Sequence, residues 1–483
     1  MMQSFPTGLD AVAQVAFDMC WAQLQSKTGI NGRRTQMFDG KYEARHLGIA
    51  VPPSLEKVET TLMWPAKAVE ALESLINLEG FVVPEGTAAD FGIDTIWREN
   101  HLGIEATQAH VSALKYGVSF LGVLAGDVDQ GEPPVIIRPL SPVSSTAIWD
   151  PIRRRIVSAL TVIRGHQVSG IYQPIEYILL LEDRVITAIW NGKAWVLDDK
   201  PHDLGRCPVA VLPFKPSVEE PFGRSRITRG VMTITERVAR TLLRMEISAE
   251  FYSAPQRALL GAEDDVFVGA DGNPKTGWEA TIGKMLVVGR DEDGNLPTVQ
   301  QFPQLTMQPH MDMVRSDAAL FSGETNIPVS ALGIIHDNPA SDAAMQSAYM
   351  ALYGEAERAW EPFGAGWVDA MQMAVQIRDG ELPEALMGLR AKWARVDAPT
   401  LAARGDFVIK QVQAFPWMAD SDVALEESGY DQTTIERLRS DRRRAQAGDR
   451  LGALVQAAQG IRQGALASGV QDGLSAAGSP VQV

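Results

Sequence analysis

Cysteine is scarce in this chain of 483 residues. Cys20 and Cys207 are the only two, and they lie far apart. Two distant cysteines supply neither the paired framework of a disulfide-stapled domain nor the closely spaced ligands of a zinc site. The sequence therefore predicts a protein of a reducing or redox-indifferent setting, without redox chemistry of its own.

Long apolar runs are also missing. The purely apolar stretches are short, such as residues 178–181, and the alanine-rich stretch 451–470 is interrupted by glutamine and arginine. A helix that spans a bilayer needs about 20 consecutive apolar residues. The N-terminal segment carries Asp10 and Asp18 and no basic leader, a pattern that is not typical of a signal peptide. We therefore expect no membrane partner and no export by a leader.

Positive charge is in short supply. The chain has 44 Lys and Arg against 60 Asp and Glu, a net charge of −16, and its pI is about 5.0. Proteins that grip DNA over their whole surface do so by replacing condensed counterions with Lys and Arg, so that mode of binding is excluded. Apolar residues at 45% and charged residues at 22% indicate a folded, soluble protein. The length indicates about three domains, or one large subunit of several modules.

Recognisable catalytic motifs are absent as well. The string closest to a phosphate-binding P-loop, residues 277–285, is one residue too long and has Met285 where a Ser or Thr would hold magnesium. Residues 291–295 begin like a calcium loop, but the glycine is misplaced and the closing glutamate is missing. The seven histidines show no zinc spacing, and no serine lies in a Gly-x-Ser-x-Gly elbow. The sequence therefore predicts no cofactor, no metal site and no enzyme activity.

The residues that are present predict an α+β protein that is mainly helical. Helices are expected at 10–26, 54–63, 65–77 and 87–116, with a turn at Asn31-Gly32. From residue 118 to 214 the pattern changes to short runs typical of an antiparallel sheet, and Asn191-Gly192 is a strong two-residue hairpin signal.

The clearest element is a long helix over residues 225–253. Its apolar residues recur every 3.6 positions on average from Ile227 to Tyr252, which places them on one face. A neighbouring face is basic: Arg226, Arg229, Arg237, Arg240 and Arg244. This face suits either DNA contact or ion pairing within or between subunits, and the glutamates of the same helix favour pairing.

Proline and glycine residues mark the boundaries of the remaining elements. A β-rich insertion is expected over residues 261–303, a second helix from Pro309 to Gly323, and an ordered loop over 326–340. The helix after residue 341 should be kinked by Pro362, Gly364 and Gly366. Beyond Pro399 the chain should be helical again and then end in a weakly patterned tail.

This order of parts, together with several short strings, resembles the portal proteins of long-tailed double-stranded DNA bacteriophages, in particular those of actinobacterial phages. The similarity extends over roughly residues 35 to 400. The strings are Phe38-Asp39-Gly40-Lys41-Tyr42, Arg45-His46-Leu47-Gly48, Trp64-Pro65, Glu79-Gly80-Phe81, Trp97-Arg98-Glu99-Asn100, Tyr116-Gly117-Val118-Ser119-Phe120, Phe222-Gly223-Arg224-Ser225-Arg226-Ile227 and Ala254-Pro255-Gln256-Arg257.

The resemblance implies a fold with wing, stem, clip and crown that assembles as a ring, usually of twelve copies. Carried over by position, residues 1–222 form the wing, 223–253 the first stem helix, 254–305 the clip and 306–325 the second stem helix. Residues 326–340 then form the tunnel loop, 341–400 the bent spine helix and part of the wing, and 401–483 the crown and tail.

The resemblance also implies the working surfaces. The tunnel-loop residues expected to face DNA are Ile334, Ile335, His336, Asp337 and Asn338. The clip residues expected to meet a partner are Asp271, Asn273, Lys275 and Trp278. The implied partners are the large terminase, a head-completion adaptor, major capsid and scaffold proteins, and double-stranded DNA that passes without sequence specificity. The implied location is one capsid vertex of the virion, after assembly in the host cytoplasm.

Two other functions remain open. Metal-dependent nucleases use scattered acidic residues that a single sequence does not reveal. Adjacent acids such as Glu219-Glu220 and Asp264-Asp265 could serve such a site, although acids in loops are usually solvated. A metal-dependent nucleic-acid enzyme is therefore the second hypothesis, and a virion structural protein without a channel is the third.

Overall fold

The structure is a computed structural model, and it describes residues 5–43, 60–168, 171–252, 257–260, 298–301, 306–334, 342–396, 401–430 and 434–448. The chain divides into two compact units, unit 1 (Met1–Val396) and unit 2 (Asp397–Val483). Unit 1 combines helices with sheets, and the described part of unit 2 is helical. The predicted α+β, mainly helical class is thereby confirmed.

Unit 1 contains long helices and mostly short strands. Its helices are α1 (Ala11–Phe38), α2 (Trp64–Glu73), α3 (Ile93–Glu99), α4 (Leu102–Tyr116), α5 (Arg229–Tyr252), α6 (Gln308–Thr325) and α7 (Asp342–Asp379). Its strands are β1 (Leu78–Val82), β2 (Val118–Ala125), β3 (Val135–Leu140), β4 (Ser145–Asp150), β5 (Arg155–Val168), β6 (Ile171–Leu180), β7 (Arg184–Trp190), β8 (Trp195–Pro201), β9 (Val209–Pro213), β10 (Arg257–Leu260), β11 (Thr298–Gln301) and β12 (Arg390–Trp393).

The strands form antiparallel sheets. Strands β4 to β8 make a five-stranded meander in chain order, and β3, β2 and β9 make a three-stranded sheet with β2 in the centre. The β7–β8 hairpin forms around Asn191-Gly192, with Trp190 paired to Trp195, but the predicted two-residue turn is wrong: the loop has four residues, and Asn191 Oδ1 accepts hydrogen bonds from the amides of Lys193 and Ala194. Two further pairs, β1–β12 and β10–β11, bring together residues that are distant in the chain.

Alternating side chains give the five-stranded sheet two buried faces. On β5 and β6, Leu160 and Leu179 face a core with Phe17 of α1, whereas Ala159 and Leu180 face the three-stranded sheet. This period-2 pattern is that of a strand packed on both sides. The largest core lies elsewhere in unit 1 and joins α2, α4 and α7 through residues such as Leu114 and Trp367.

Several predicted boundaries are wrong, and local contacts explain why. Helix α1 runs through the expected turn at Asn31-Gly32, because the buried Asn31 amide donates to the carbonyl of Pro142 at 3.1 Å. The expected helix over 87–116 is interrupted by positive φ angles at Gly92 (65°) and His101 (51°). Residues 60–63 of the helix expected over 54–63 are not helical, and residues 54–59 lie outside the described chain.

Helix α5 begins four residues later than predicted. The Thr228 hydroxyl accepts a hydrogen bond from the Val231 amide at 3.1 Å, so Thr228 takes the N-cap position. Thr235 and Ala239, outside the predicted apolar stripe, are buried, whereas Ala249 within it is exposed.

Helix α7 continues through Pro362 over 38 residues. Its Gly366 meets the carbonyl oxygen of Val211 on β9, which a Cβ at this position would approach to 2.1 Å. The glycine expected to kink the helix therefore permits close packing of a helix on a strand.

Unit 2 is described over residues 401–430 and 434–448. It contains α8 (Leu401–Ala414), α9 (Asp422–Glu427) and a third helix over residues 434–448. Ala424 and Ile435 are its buried apolar side chains among the described residues, while Phe415 and Trp417 are exposed and pack against each other. No helix in the described ranges of either unit is long and apolar enough to cross a bilayer.

Candidate functional site

Helices α5 and α6 lie side by side and antiparallel. Side-chain hydrogen bonds among the described residues join them: Thr228 to Glu324 at 2.9 Å, Arg237 to Asp317, and Thr241 to Met313 at 3.6 Å. The residue numbers rise along α5 as they fall along α6, which defines the opposite direction. We call α5 and α6 the helix pair. Its helices lie within residues 223–253 and 306–325, the ranges predicted for the two stem helices, and their role as a stem stays a prediction.

A two-pronged ion pair holds the middle of the helix pair. The guanidinium of Arg237 donates from Nε to Asp317 Oδ2 at 3.0 Å and from Nη2 to Asp317 Oδ1. Asp317 is buried, so the arginine supplies the partner that a buried carboxylate requires. Asp317 was not among the predicted site residues, and an acid beside the apolar Ala318 and Phe321 of α6 was the available signal.

The predicted basic face does not act as one surface. Arg226 precedes α5 and is buried, so its placement on an exposed helix face is wrong. Arg237 is committed to Asp317, and Arg240 lies 4.0 Å from Glu236. Arg229 and Arg244 form no ion pair with another described residue. Glu236 also binds Arg33 of α1 at 2.8 Å, which ties the helix pair to the sheet-covering helix.

Arg226 forms the centre of a buried junction at the base of the helix pair. Its Nε donates to the carbonyl of Ala68 on α2, and its Nη2 donates to the carbonyl of Thr325, the last residue of α6, at 2.5 Å. Its Nη1 binds Glu355 Oε1 of α7 at 2.5 Å. One side chain thus connects α2, α6 and α7 beside the start of α5.

Glu355 also binds the other two polar side chains of this junction. Lys215 Nζ lies 2.6 Å from Oε1, and the Asn326 amide donates to Oε2 at 2.9 Å. Burial alone would raise the pKa of Glu355, but the charge of Arg226 and the hydrogen bonds from Arg226, Lys215 and Asn326 outweigh it and lower the pKa. Glu355 is therefore ionised at neutral pH. We call Arg226, Glu355, Lys215 and Asn326 the junction cluster.

The junction cluster holds the first residue of the predicted tunnel loop. Asn326 follows α6 directly in the left-handed conformation (φ 56°), and Glu355 lies on the helix that follows the loop. A 3₁₀ turn over Val329–Leu332 begins the loop. Ile334 is half-buried against the largest core, so it is a packing residue there. Ile335, His336, Asp337 and Asn338 lie outside the described residues.

The predicted clip surface is described only at its base. Strands β10 and β11 pair antiparallel from Arg257 with Gln301 to Leu260 with Thr298. They connect the end of α5 with the start of α6. Asp271, Asn273, Lys275 and Trp278 lie outside the described residues, so their role as a partner surface stays a prediction.

The surroundings of the two cysteines and of Glu220 are not those of reactive groups. Burial raises the pKa of the Cys20 thiol to about 11 and also raises that of Cys207. Glu220 pairs with Arg224 at 2.5 Å on the surface, and Asp264-Asp265 lies outside the described residues. Across the described ranges, no group of three or more His, Cys, Asp or Glu side chains is arranged to hold a metal ion.

His110 of α4 is a neutral histidine in the largest core. It lies 3.2 Å from the carbonyl of Ile76 through Nδ1, accepts from Trp367 Nε1 at 2.9 Å through Nε2, and stacks on Phe363. Burial lowers its pKa to about 3. Because the unfolded chain binds a proton near pH 6.5, the stabilising effect of neutral His110 is complete above that pH and declines as the pH falls toward 3.

This histidine predicts a measurable pH dependence. Between pH 7 and pH 5, the wild-type protein should lose about 2 kcal/mol more unfolding free energy than His110→Gln, at about 1.4 kcal/mol per pH unit below 6.5. Denaturant unfolding at both pH values measures the difference. His101→Asn, at an exposed position that accepts asparagine, serves as the control and should match the wild type. Equal losses in wild type and His110→Gln would contradict the assignment.

Comparison with known proteins identifies the family. The portal protein of Mycobacterium phage L5 is 27% identical over 418 residues, and that of Mycobacterium phage D29 is 26% identical over 418 residues; each alignment covers 84% of this chain and 83% of the relative. Among solved structures, the neck of a native gene transfer agent particle computed with C12 symmetry aligns over 76% of this chain and 90% of its own, at 12% identity and a TM-score of 0.41. The virion of the native gene transfer agent particle aligns over 80% of this chain and 89% of its own, at 13% sequence identity and a TM-score of 0.42. The family model for phage portal proteins of the SPP1 Gp6-like type matches residues 54–394, and this chain belongs to that family.

Proposed function

We propose that this portal protein assembles as a ring of twelve copies at one vertex of the capsid. The channel of the ring conducts double-stranded DNA, without sequence specificity, into the head during packaging and out during ejection. The large terminase and later a head-completion adaptor dock on it, and major capsid and scaffold proteins surround it. The protein is a structural conduit of the virion, assembled in the host cytoplasm, and needs no cofactor or active site.

The parts of the ring follow the order of the described elements. The helix pair serves as the stem, β10 and β11 begin the clip, and the segment after Asn326 forms the tunnel loop. The sheets with α1 to α4 and α7 form the wing, and unit 2 forms the crown. The junction cluster lies where stem, tunnel loop and wing meet.

The observation that carries the proposal is the exposure of α6. In this helix of 18 residues, a single stripe is buried: Asp317, Ala318, Phe321 and Thr325. Met311 and Leu320 are exposed, and at 100° per residue they lie on opposite sides of the helix. A helix that packs on one partner and keeps apolar side chains on both flanks suits a ring, in which each copy has two neighbours.

The charge of the chain is consistent with a conduit. DNA carries one negative charge per about 1.7 Å of axis, so a strongly basic lining would hold it tightly and in a salt-dependent way. The net charge of this chain is −16, and Arg226, Arg237 and Arg240 of the predicted basic face lie within 4.0 Å of carboxylates of their own chain. DNA can therefore slide instead of sticking.

A substitution on α6 tests this proposal. Leu320→Arg places a charge on a flank that the ring would bury, and its side chain is 55% exposed in the single chain. We expect the variant to stay folded but not to form rings, which native mass spectrometry and thermal unfolding can measure side by side. Val128→Arg, at a position 62% exposed outside the helix pair, should assemble like the wild type. Normal rings from Leu320→Arg would contradict the assignment of α6 to the stem.

A further inference from the structure

The five-stranded sheet of unit 1 carries a two-stranded extension at one end. Strand β4 pairs with β5 only from Arg155 to Thr161, and β7 pairs with β6 only from Glu176 to Leu180. Beyond these points, residues 165–168 of β5 pair only with residues 171–174 of β6, and Ile163 lies at a register shift just before them. We call these residues the arm. A two-stranded hairpin is only marginally stable by itself in water, so we expect the arm to pack against another surface.

The arm presents apolar groups to solvent. Ile163 is 42% exposed and Tyr172 is 56% exposed, with the polar side chains of His166 and Gln167 beside them. The ring of Tyr172 covers Gly165, where a Cβ would come within 2.4 Å of it, so the glycine lets the aromatic ring lie flat on the arm. Register shifts on both sides of Arg164 change the direction of the strand where the arm leaves the sheet.

An unfilled groove lies at the other end of the same strand. Its volume is about 860 Å³, enough for several side chains, and its wall is mainly apolar. It is formed where the β4–β5 turn meets the loop before α5 and the middle of α7. Its lining includes Trp149, Ile156, Val211, Phe222 and Ala365, with Arg154 at the turn. On its rim, Val218 is 96% exposed.

We propose that the arm of one copy docks in the groove of the next copy around the ring. The inference rests on the proposed ring and identifies a contact between the wings of neighbouring copies. The groove reaches Ile156 on β5 and the arm begins at Ile163, seven residues or about 23 Å further along the strand. A head-to-tail ring requires two different, complementary surfaces on opposite sides of each copy. A protruding apolar hairpin and an apolar concavity at opposite ends of one strand meet that requirement.

The choice of a second copy as the occupant follows from this placement. A contact with an unrelated protein would require either the arm or the groove, whereas self-assembly into a ring uses both in equal number. The groove also offers Arg154 and the Arg206–Asp369 pair as polar partners for the side chains of His166 and Gln167 at the arm. Docking would bury Ile163 and Tyr172 together with the exposed Val218.

Cross-linking of assembled protein tests the docking. Tyr172→Cys and Val218→Cys are combined in one chain and treated with a short bifunctional maleimide; native Cys20 and Cys207 are buried and give a low background. We expect a ladder of covalent oligomers extending to the full ring. A control chain with Tyr172→Cys and Ile104→Cys, at a position 64% exposed on α4, should remain largely monomeric on a denaturing gel.

The outcomes separate this inference from the proposed function. Rings seen by electron microscopy without a Tyr172–Val218 ladder would overturn the docking but not the proposed ring. The arm would then contact another virion protein instead of a second copy. A ladder of equal yield in the control chain would also overturn it. Failure to form any ring would overturn both proposals.

Discussion

Replacing Arg226 with methionine is expected to lower the free energy of unfolding of unit 1 by about 3–5 kcal/mol, because it removes one partner of a buried ion pair. Glu355 is 4% exposed at its side chain and would keep only Lys215 and Asn326. The carbonyls of Ala68 and Thr325 would lose their guanidinium donor as well. Methionine fills a similar length, so the loss reports charge and hydrogen bonding more than volume.

The matched control for this variant is Arg229→Met, three residues away on an exposed position. It should change the unfolding free energy by less than about 0.5 kcal/mol, as surface substitutions usually do. Urea unfolding followed by tryptophan fluorescence compares the two, since Trp367 and Trp64 lie in the core that the junction cluster borders. Equal effects of the two substitutions would show that the buried pair does not stabilise unit 1.

Gly366→Ala is expected to destabilise unit 1 by about 3 kcal/mol through overpacking. The new Cβ would lie 2.1 Å from the carbonyl oxygen of Val211 and 2.7 Å from a methyl of Leu212. The first of these is a backbone atom of β9, which cannot turn away as a side chain could, so α7 or β9 must shift to accept the methyl group. Thermal unfolding of the variant against wild type measures the cost.

The same helix supplies a control of opposite sign. At Gly354 a Cβ would meet only the end of the Arg358 side chain, at 3.9 Å. Gly354→Ala should therefore stabilise the protein by about 0.5–1 kcal/mol, because alanine is the better helix former. If both substitutions stabilise the protein, the close contact between α7 and β9 is wrong.

Local patterns in the sequence predicted those elements whose cause is local. The hairpin at Asn191-Gly192 forms because the Asn191 side chain accepts hydrogen bonds from the next amides and Gly192 takes a positive φ angle, and α5 is helical where its apolar residues repeat. The interruption of the helix expected over 87–116 was not predicted, because His101 adopts a positive φ angle in its tertiary setting. Asn31 likewise continues α1 because of a carbonyl 111 residues away.

The candidate site likewise has parts with a local cause in the sequence and parts that depend on distant residues. The order of the helix pair and the loop after it could be read from turn residues and periodicity. The burial of Arg226 could not, because its partner Glu355 is 129 residues further along the chain and nothing near Arg226 marks it as inward-facing. The close approach of Gly366 to a strand carbonyl could not be predicted either, because Val211 is 155 residues away in the chain.

The most direct test of the proposed function is to image the purified wild-type protein by electron microscopy and score the rotational symmetry of end-on views. We predict closed rings of twelve copies, about 0.6 MDa for a chain of 52.6 kDa, with a central hole wide enough for a DNA duplex. Particles that stay monomeric or dimeric even with scaffold protein present, or closed rings without a channel, would contradict it.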